Sequence, residues 1–348
     1  MNDATINRQI AWVVDLNKCI GCQTCSVACK VLWTREESEK SQWWCSVNTQ
    51  PGRGTPRDWE EMGGGYDPET GELVLGKEPT PEEFGGGFKF NHEEVFYGGS
   101  AGKVHLEPQA PREGRWAMNW DEDQGAGEWP NSYYFYMPRL CNHCSKPACV
   151  EACPSGALSK NDDGLVLRDE SVCSGSKRCM AACPYKKIYF NEERNVSQHC
   201  IGCFPRLEKN VAPACVRQCP GRAIFVGWLD EADTPVNKLV KEWEVALPLH
   251  SEYGTEPNVY YVPPLSPHPL KEDMSIDTEN PRIPPDYLEG LFGEKVHGVL
   301  KTLQGEMDKV REGGSSELMK TLIAYKWQEL LGPFDADPAK IIATDQGA

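Results

Sequence analysis

Residues 19–30 read CIGCQTCSVACK, and the spacing of Cys19, Cys22, Cys25 and Cys29 in that stretch recurs, with variations, three more times along the chain. The second run is Cys141, Cys144, Cys149 and Cys153, the third is Cys173, Cys179 and Cys183, and the fourth is Cys200, Cys203, Cys215 and Cys219 with a long loop inside it. Every run ends in C-x3-C, and Pro154, Pro184 and Pro220 follow three of the four last cysteines. Setting the third run on the first puts Ser176 where a cysteine is called for. Cys45 alone of the 16 cysteines lies outside the runs, and it reads as a plain buried or partly exposed thiol.

C-x2-C-x2-C-x3-C is the spacing with which bacterial ferredoxins ligate iron–sulfur clusters. Three thiolates on one tight loop each hold one iron of a cubane while backbone N–H groups point at the sulfides. The last cysteine, expected to start a helix leading away, ligates the other cluster of a pair. Runs two and three are only about twenty residues apart and read as one two-cluster unit, leaving runs one and four to close a second unit around it. Crossing then assigns Cys19, Cys22, Cys25 and Cys219 to one 4Fe-4S cluster, Cys29, Cys200, Cys203 and Cys215 to a second, and Cys141, Cys144, Cys149 and Cys183 to a third. Cys153, Cys173 and Cys179 remain. Three thiolates suit a 3Fe-4S cluster with Ser176 at the vacant corner; a serinate-ligated 4Fe-4S cluster is the alternative. The expected cofactors are thus three 4Fe-4S clusters and one 3Fe-4S cluster.

Disulfides and zinc are the ordinary readings of many cysteines. The chain is far longer than small disulfide-stapled domains and begins with no secretory signal. Zinc ribbons use paired C-x2-C knuckles but do not call for C-x2-C-x2-C-x3-C followed by proline.

At 348 residues the chain has room for two or three domains. Its 36 basic against 52 acidic residues give a net charge of −16, which argues against a nucleic-acid partner. No apolar run approaches the roughly 18 residues of a membrane span; the longest, around Ile224 to Leu229, is short. Any membrane contact is expected through another subunit.

The expected fold class is α+β, with two ferredoxin-like two-cluster modules, a long insertion and a C-terminal helical extension. Residues 1–33 with 196–232 form the first, discontinuous module, and residues 131–195 the second. Residues 9–16 (QIAWVVDL), 163–168 (DGLVLR) and 186–191 (KKIYFN) read as strands. Residues 34–130 are an insertion rich in Gly, Pro, Trp and acidic residues, including Gly63 to Gly65 and Gly85 to Gly87; its Trp43, Trp44, Trp59, Trp116, Trp120 and Trp129 pack either on a partner or on their own domain. Residues 233–348 read as a partner-docking segment. In it, 246–267 is proline-rich and extended, suited to lying across a partner, while 285–311 and 316–331 are helical, with Leu288, Leu291, Phe292, Val296, Val299, Leu300 and Leu303 on one side.

No Ser-His-Asp order, P-loop or G-x-G-x-x-G turn stands out, so no catalytic residue is assigned. His143 and His199 adjoin cluster ligands and are placed to tune them, unless they are surface histidines. Lys18, Lys186 and Lys187 also sit beside clusters, where positive charge raises a reduction potential; the plain alternative is solvated lysine. The chain reads as a conductor without a reaction centre.

The stretches WVVDLNKCIGCQTCSVACK, WDEDQGAGEWPNSYYFYMPRLCNHCSKPACVEACP, CPYKKIYFN, CIGCFPRLE and ALPLHSEYGTEPNVYYVPP together resemble the iron–sulfur beta subunit of type II dimethyl sulfoxide reductase-family molybdoenzymes. That group holds ethylbenzene dehydrogenase and its steroid-hydroxylating relatives, dimethyl sulfide dehydrogenase, and the selenate, chlorate and perchlorate reductases. The resemblance runs from about residue 9 to about residue 310. Respiratory nitrate reductase's beta subunit is similar around CPYKKIYFN but is expected to be much longer, and it has tryptophan where this chain has Ser176. The resemblance implies a heterotrimer. A catalytic alpha subunit with a molybdenum cofactor would lie nearest the Cys19 cluster, and a haem b gamma subunit nearest the 3Fe-4S cluster. It also implies periplasmic location, by co-export with an alpha subunit carrying a twin-arginine signal; a cytoplasmic complex is the alternative. A hydrocarbon- or steroid-hydroxylating dehydrogenase is the expected setting. An oxyanion reductase running electrons the other way and a free-standing polyferredoxin are the other readings.

Overall fold

The computed structural model describes residues 8–34, 36–85 and 125–339. At its centre lies β1, Ile10–Asp15, whose six residues IAWVVD are all buried. A strand without apolar–polar alternation is covered on both faces, and β1 has neighbours on both edges as well. Three two-stranded antiparallel sheets accompany it: β2 (Ser46–Gln50) with β3 (Phe135–Arg139), β4 (Leu158–Lys160) with β5 (Val166–Arg168), and β6 (Ile188–Asn191) with β7 (Val196–His199). Strand β8 (Ile224–Trp228) runs antiparallel to β1, with Ile10 opposite Trp228. On the other edge β10 (Val259–Val262) runs parallel to it, with Trp12 opposite Val259, and β9 (Leu247–Pro248) closes the order β8-β1-β10-β9.

This sheet corrects the reading of residues 246–267. The stretch is extended, as expected, but Val259–Val262 completes the chain's own sheet and does not lie across a partner. Its four residues, Val-Tyr-Tyr-Val, are types that favour strands, and the edge of β1 offers unpaired backbone groups for it.

The insertion is likewise tied into the chain. Strand β2 pairs with β3, and Trp43, Trp44 and Trp59 are buried in the core, whereas Trp129 is 82% exposed. Trp116, Trp120, Gly86 and Gly87 lie outside the described residues.

The expected helix over 285–311 is two helices, Pro285–Phe292 and Val296–Arg311, separated at Gly293, whose φ of 77° ends the first. Helix Glu317–Ile323 follows, its first turn capped by Ser316 Oγ accepting from Met319 N at 3.1 Å. Leu288, Leu291, Phe292, Val296, Val299 and Leu303 are buried in the main core, with Leu300 half-buried beside them, so this apolar face covers the chain itself. No helix among the described residues is long and apolar enough to cross a membrane.

Candidate functional site

The four cysteine runs share one local geometry. The residue before the second ligand position has positive φ in each: Gly21 at 67°, His143 at 43°, Gly175 at 70° and Gly202 at 62°. Glycine enters this region without steric cost. At Gly21 a Cβ would lie 2.7 Å from the Tyr136 ring, and at Gly202 2.5 Å from Leu165 Cδ2, so bulk as well as φ selects glycine. His143 tolerates the conformation because its side chain is locked. It stacks on Trp12 at 5.5 Å, and its Nδ1 accepts from Val166 N at 3.1 Å. Gly175 directly precedes Ser176, so the loop around the serine has the bend of its cysteine counterparts; Ser176 itself is exposed.

One sequence expectation needs correction here. The third ligand position of each run lies in a helix, and the last cysteine starts none: Cys25 lies in α1 (Thr24–Trp33), which also holds Cys29, Cys149 in α2 (Ala148–Glu151), Cys179 in α3 (Arg178–Ala182) and Cys215 in α4 (Ala214–Arg217). Four residues on a helix advance about 6 Å on nearly the same face. Cys29, Cys153, Cys183 and Cys219 therefore stand one turn beyond the first three thiols, where they reach a neighbouring set. Helix α1 packs on α4, and α2 on α3, so runs one and four meet, as do runs two and three.

The thiols fall together accordingly. Burial pushes the Cys19 thiol up to about 12, and the charges of Cys25, Cys219 and Cys22 add to this. Burial raises Cys215, assisted by Cys203, Cys29 and Cys200, and raises Cys149, assisted by Cys183, Cys141 and Cys144. Cys179 is pushed up to about 11 by burial, against a hydrogen bond to Ser197 Oγ and with the charges of Cys153 and Cys173 close by. Cys19 thus lies near Cys22, Cys25 and Cys219, Cys215 near Cys29, Cys200 and Cys203, Cys149 near Cys141, Cys144 and Cys183, and Cys179 near Cys153 and Cys173. Adjacent sets also touch. Cys25 bears on Cys29 and Cys215, Cys200 on Cys141, and Cys179 on Cys149.

The donor chemistry fits iron–sulfur clusters. All sixteen cysteines are free thiols. Among the described residues no three His, Cys, Asp or Glu donors converge as they would on a single ion. Instead Cys141, Cys144, Cys149 and Cys183 line the wall of one hollow, together with Pro147, Pro184 and Tyr185. Buried thiols in this number cannot ionise together unless metal neutralises them. Beside the hollow, Trp12 Nε1, His143 Nε2 and His199 Nε2 are buried without a hydrogen-bond partner, and His199 lines the hollow itself. Buried polar atoms are rarely left so; Trp12 Nε1 and His143 Nε2 carry N–H groups for which cluster sulfide is an acceptor, whereas His199 Nε2 is the unprotonated nitrogen of its ring.

Neither histidine is a surface residue. Burial holds His143 well below the usual imidazole range and takes His199 to about 4, while His199 Nδ1 donates to Cys200 O at 2.7 Å. Lys186 and Lys187 are not solvated lysines either, for both are buried. Lys186 Nζ donates to Ala181 O, and Lys187 Nζ to Trp43 O, Ser46 Oγ and Tyr189 Oη. Lys18 is half-buried, its Nζ donating to Leu322 O at 2.7 Å beside Cys219.

Sequence reasoning passed over several groups. Cys45 is buried, and its thiol lies beside those of Cys25, Cys215 and Cys29. Trp33 Nε1 donates to Cys203 Sγ at 3.1 Å. Lys30 is buried beside Cys29 with its Nζ on the carbonyls of Glu39, Lys40 and Gln42, and Lys160 Nζ donates to the carbonyls of His143 and Cys144. Arg139, fully buried, lies 3.5 Å over the Trp59 ring and donates to Asn48 Oδ1, Thr55 O and Tyr185 O. The only sequence signals were positional: Trp33 and Lys30 follow the first run, and Lys30 sits directly after Cys29.

Fold and thiol loops define an α+β protein with a ferredoxin-like iron–sulfur domain. Residues 132–229 match the family model of a 4Fe-4S dicluster domain. Over 93% of its length the chain is 49% identical to the selenate reductase subunit beta of Thauera selenatis, covering 99% of it. It is 48% identical to the dimethylsulfide dehydrogenase subunit beta of Rhodovulum sulfidophilum, covering 93% of this chain and 98% of that one. It is also 51% identical to the respiratory nitrate reductase subunit beta of Haloferax mediterranei, over 91% of each. That relative is of similar length to this chain, whereas the respiratory nitrate reductase 1 beta chain of Escherichia coli, 33% identical over 82% of this chain and 77% of that one, is the longer kind expected. The chain belongs to the family of iron–sulfur beta subunits of type II dimethyl sulfoxide reductase-family molybdoenzymes. It is the electron-transfer subunit of such a complex and not the catalytic one.

Proposed function

We propose that the chain is a four-station relay with two ferredoxin-like modules, holding three 4Fe-4S clusters and one 3Fe-4S cluster. In order along the wire, the ligand sets are Cys19, Cys22, Cys25 and Cys219; Cys29, Cys200, Cys203 and Cys215; Cys141, Cys144, Cys149 and Cys183; and Cys153, Cys173 and Cys179. When bound, the clusters supply one-electron redox chemistry. The observation that carries the reading is the crossed grouping: each run's last cysteine stands with a thiol set other than its own. The module boundaries proposed are residues 1–33 with 196–232, and 131–195.

The chain's own residues hold the thiols, exclude water and leave the two ends accessible. At the first set Cys22 is exposed, and Ile20 and Tyr134, whose ring meets that of Tyr136 over Gly21, stand out as apolar surface nearby, at 63% and 61% exposure. Exposed apolar groups gathered at one end mark an interaction site. We place the molybdenum-cofactor alpha subunit here. The haem b gamma subunit belongs at the opposite end, where Cys153 and Cys173 are only partly covered and Ser176 is exposed.

The relay serves either direction of flow, because direction depends on the partners' potentials. The reductase setting has support in the names of the selenate and nitrate reductase relatives, and an outward-running dehydrogenase in that of the dimethylsulfide dehydrogenase. None of the three is a hydrocarbon or steroid hydroxylase. Location in the periplasm, by co-export with a signal-bearing alpha subunit, is part of the same proposal. Fractionation of cells whose alpha subunit lacks its signal tests it: the beta subunit should stay in the cytoplasm, and its appearance in the periplasm would contradict co-export. Co-purification from the native host tests the assembly: a molybdenum-containing subunit and a haem b subunit should accompany the chain, and a chain isolated alone with full redox activity would contradict it.

A further inference from the structure

Lys187 occupies a position that the relay alone does not explain. It is 1% exposed, and among the described residues no carboxylate pairs with it. Its Nζ is held by three oxygens, Trp43 O at 3.1 Å, Ser46 Oγ at 3.0 Å and Tyr189 Oη at 3.1 Å. Tyr189 Oη in turn donates to Trp43 O, so it must accept from the ammonium. The arrangement presents N–H acceptors from strand β2, from the segment just before it and from strand β6, which fixes the group from several sides.

A cation stripped of water is expensive unless negative charge stands close to it. Oxygen acceptors meet its hydrogen-bonding need but bring no net charge. The neighbouring cation makes matters worse, for buried Arg139 acts against it. The negative charge available comes from thiolates. Lys187 is among the residues that line the hollow with Cys141, Cys144, Cys149 and Cys183. Its charge bears on Cys45, Cys200 and Cys29, of which the last two belong to the set with Cys203 and Cys215. Lys30 and Lys186, by contrast, each stand beside a thiol of one set, Cys29 and Cys183 respectively.

We infer that Lys187 is a shared counter-cation wedged between the two central stations of the relay, favouring an added electron on either of them. This rests on the proposed ligand sets. A positive charge between two anionic groups stabilises the more negative, reduced form of each, and a buried charge is screened little by salt. The residue acts through space and touches no substrate, so it is a positioning residue for electrons.

The test is an EPR-monitored redox titration of the intact complex carrying Lys187→Met, Lys187→Gln or Lys187→Arg. In Lys187→Met, the two central clusters should each become harder to reduce by at least about tenfold in the reduction equilibrium, which is 59 mV for one electron. The two terminal clusters should stay within a fraction of that shift. Lys187→Arg should recover most of the change. Two intact central clusters with unmoved potentials, or equal shifts in all four clusters, would overturn the inference. Should the neutral variants fail to retain their clusters, retention in Lys187→Arg supports the charge, and loss in all three variants overturns it in favour of packing. Absence of these clusters from the unaltered complex is a different result, which sinks the ligand sets themselves.

Discussion

Trp33 Nε1 donates to Cys203 Sγ at 3.1 Å, joining the helix of the first cysteine run to the loop of the fourth across 170 residues of sequence. The contact ties chain topology to the proposed redox chemistry, because a donor to a ligand sulfur favours its more electron-rich state. Replacing the indole by Trp33→Phe keeps an aromatic ring and removes the N–H. The cluster on Cys29, Cys200, Cys203 and Cys215 should then be harder to reduce, by on the order of 1 kcal/mol. Redox titration of that single signal, with the other three as internal references, measures the effect.

Ser176 is where the fourth station differs. Gly175 gives its loop the bend found at Gly21 and Gly202, and only the ligand atom is changed. Ser176→Cys should therefore permit a fourth iron, with loss of the oxidised three-iron EPR signal. Persistence of that signal at full intensity would count against Ser176 as the vacant corner.

Gly202→Ala probes the loop geometry itself. The new methyl meets Leu165 Cδ2 at 2.5 Å, and φ of 62° costs an alanine about 1–2 kcal/mol before any clash. Thermal stability should fall and iron content per chain with it, while Gly156→Ala, at a comparable φ of 67° but in open space, should lose stability alone.

His250 couples stability to pH. Its Nδ1 meets Glu252 Oε1 at 2.7 Å and its Nε2 meets Glu60 Oε1 at 3.3 Å. Burial opposes protonation, but the two glutamates outweigh it and its pKa is raised above the ordinary 6.5. The folded state binds the proton more tightly, so this contribution is complete below pH 6.5 and is lost as pH rises through the raised value. Thermal unfolding across that window should show a decline that His250→Asn flattens.

Arg139 organises the centre through packing. Its guanidinium stacks on Trp59 and donates to Asn48 Oδ1, Thr55 O and Tyr185 O, linking β2, β3 and the loop before β6. Arg139→Met should cost on the order of 3 kcal/mol, measured by denaturant unfolding of the loaded protein. Arg139→Lys should recover little of it, because a lysine lacks the planar fork.

The sequence spoke clearly where spacing and chemistry coincide. The cysteine run from Cys19 to Cys29 and the apolar run of β1 could be read directly, because each depends on neighbours in the chain. What stayed hidden depends on residues far apart. Nothing local announces that Val259–Val262 pairs with Trp12–Asp15, and the prolines around it pointed to a surface strap. Cys45 lies outside every run and still stands beside Cys25. Lys187 is one of two adjacent lysines, a pattern that ordinarily means solvent exposure; only the folded chain turns it inward. The break at Gly293 was missed because apolar periodicity continues on both sides of it.

The most direct test of the account is cluster composition: Mössbauer spectroscopy of the iron-57-labelled complex, with iron and zinc analysis of the separated beta subunit. Three four-iron clusters and one three-iron cluster per chain are predicted, with Cys153→Ser removing only the three-iron component. Zinc in place of iron, or fewer than four clusters in a fully loaded complex, would contradict the four-station relay.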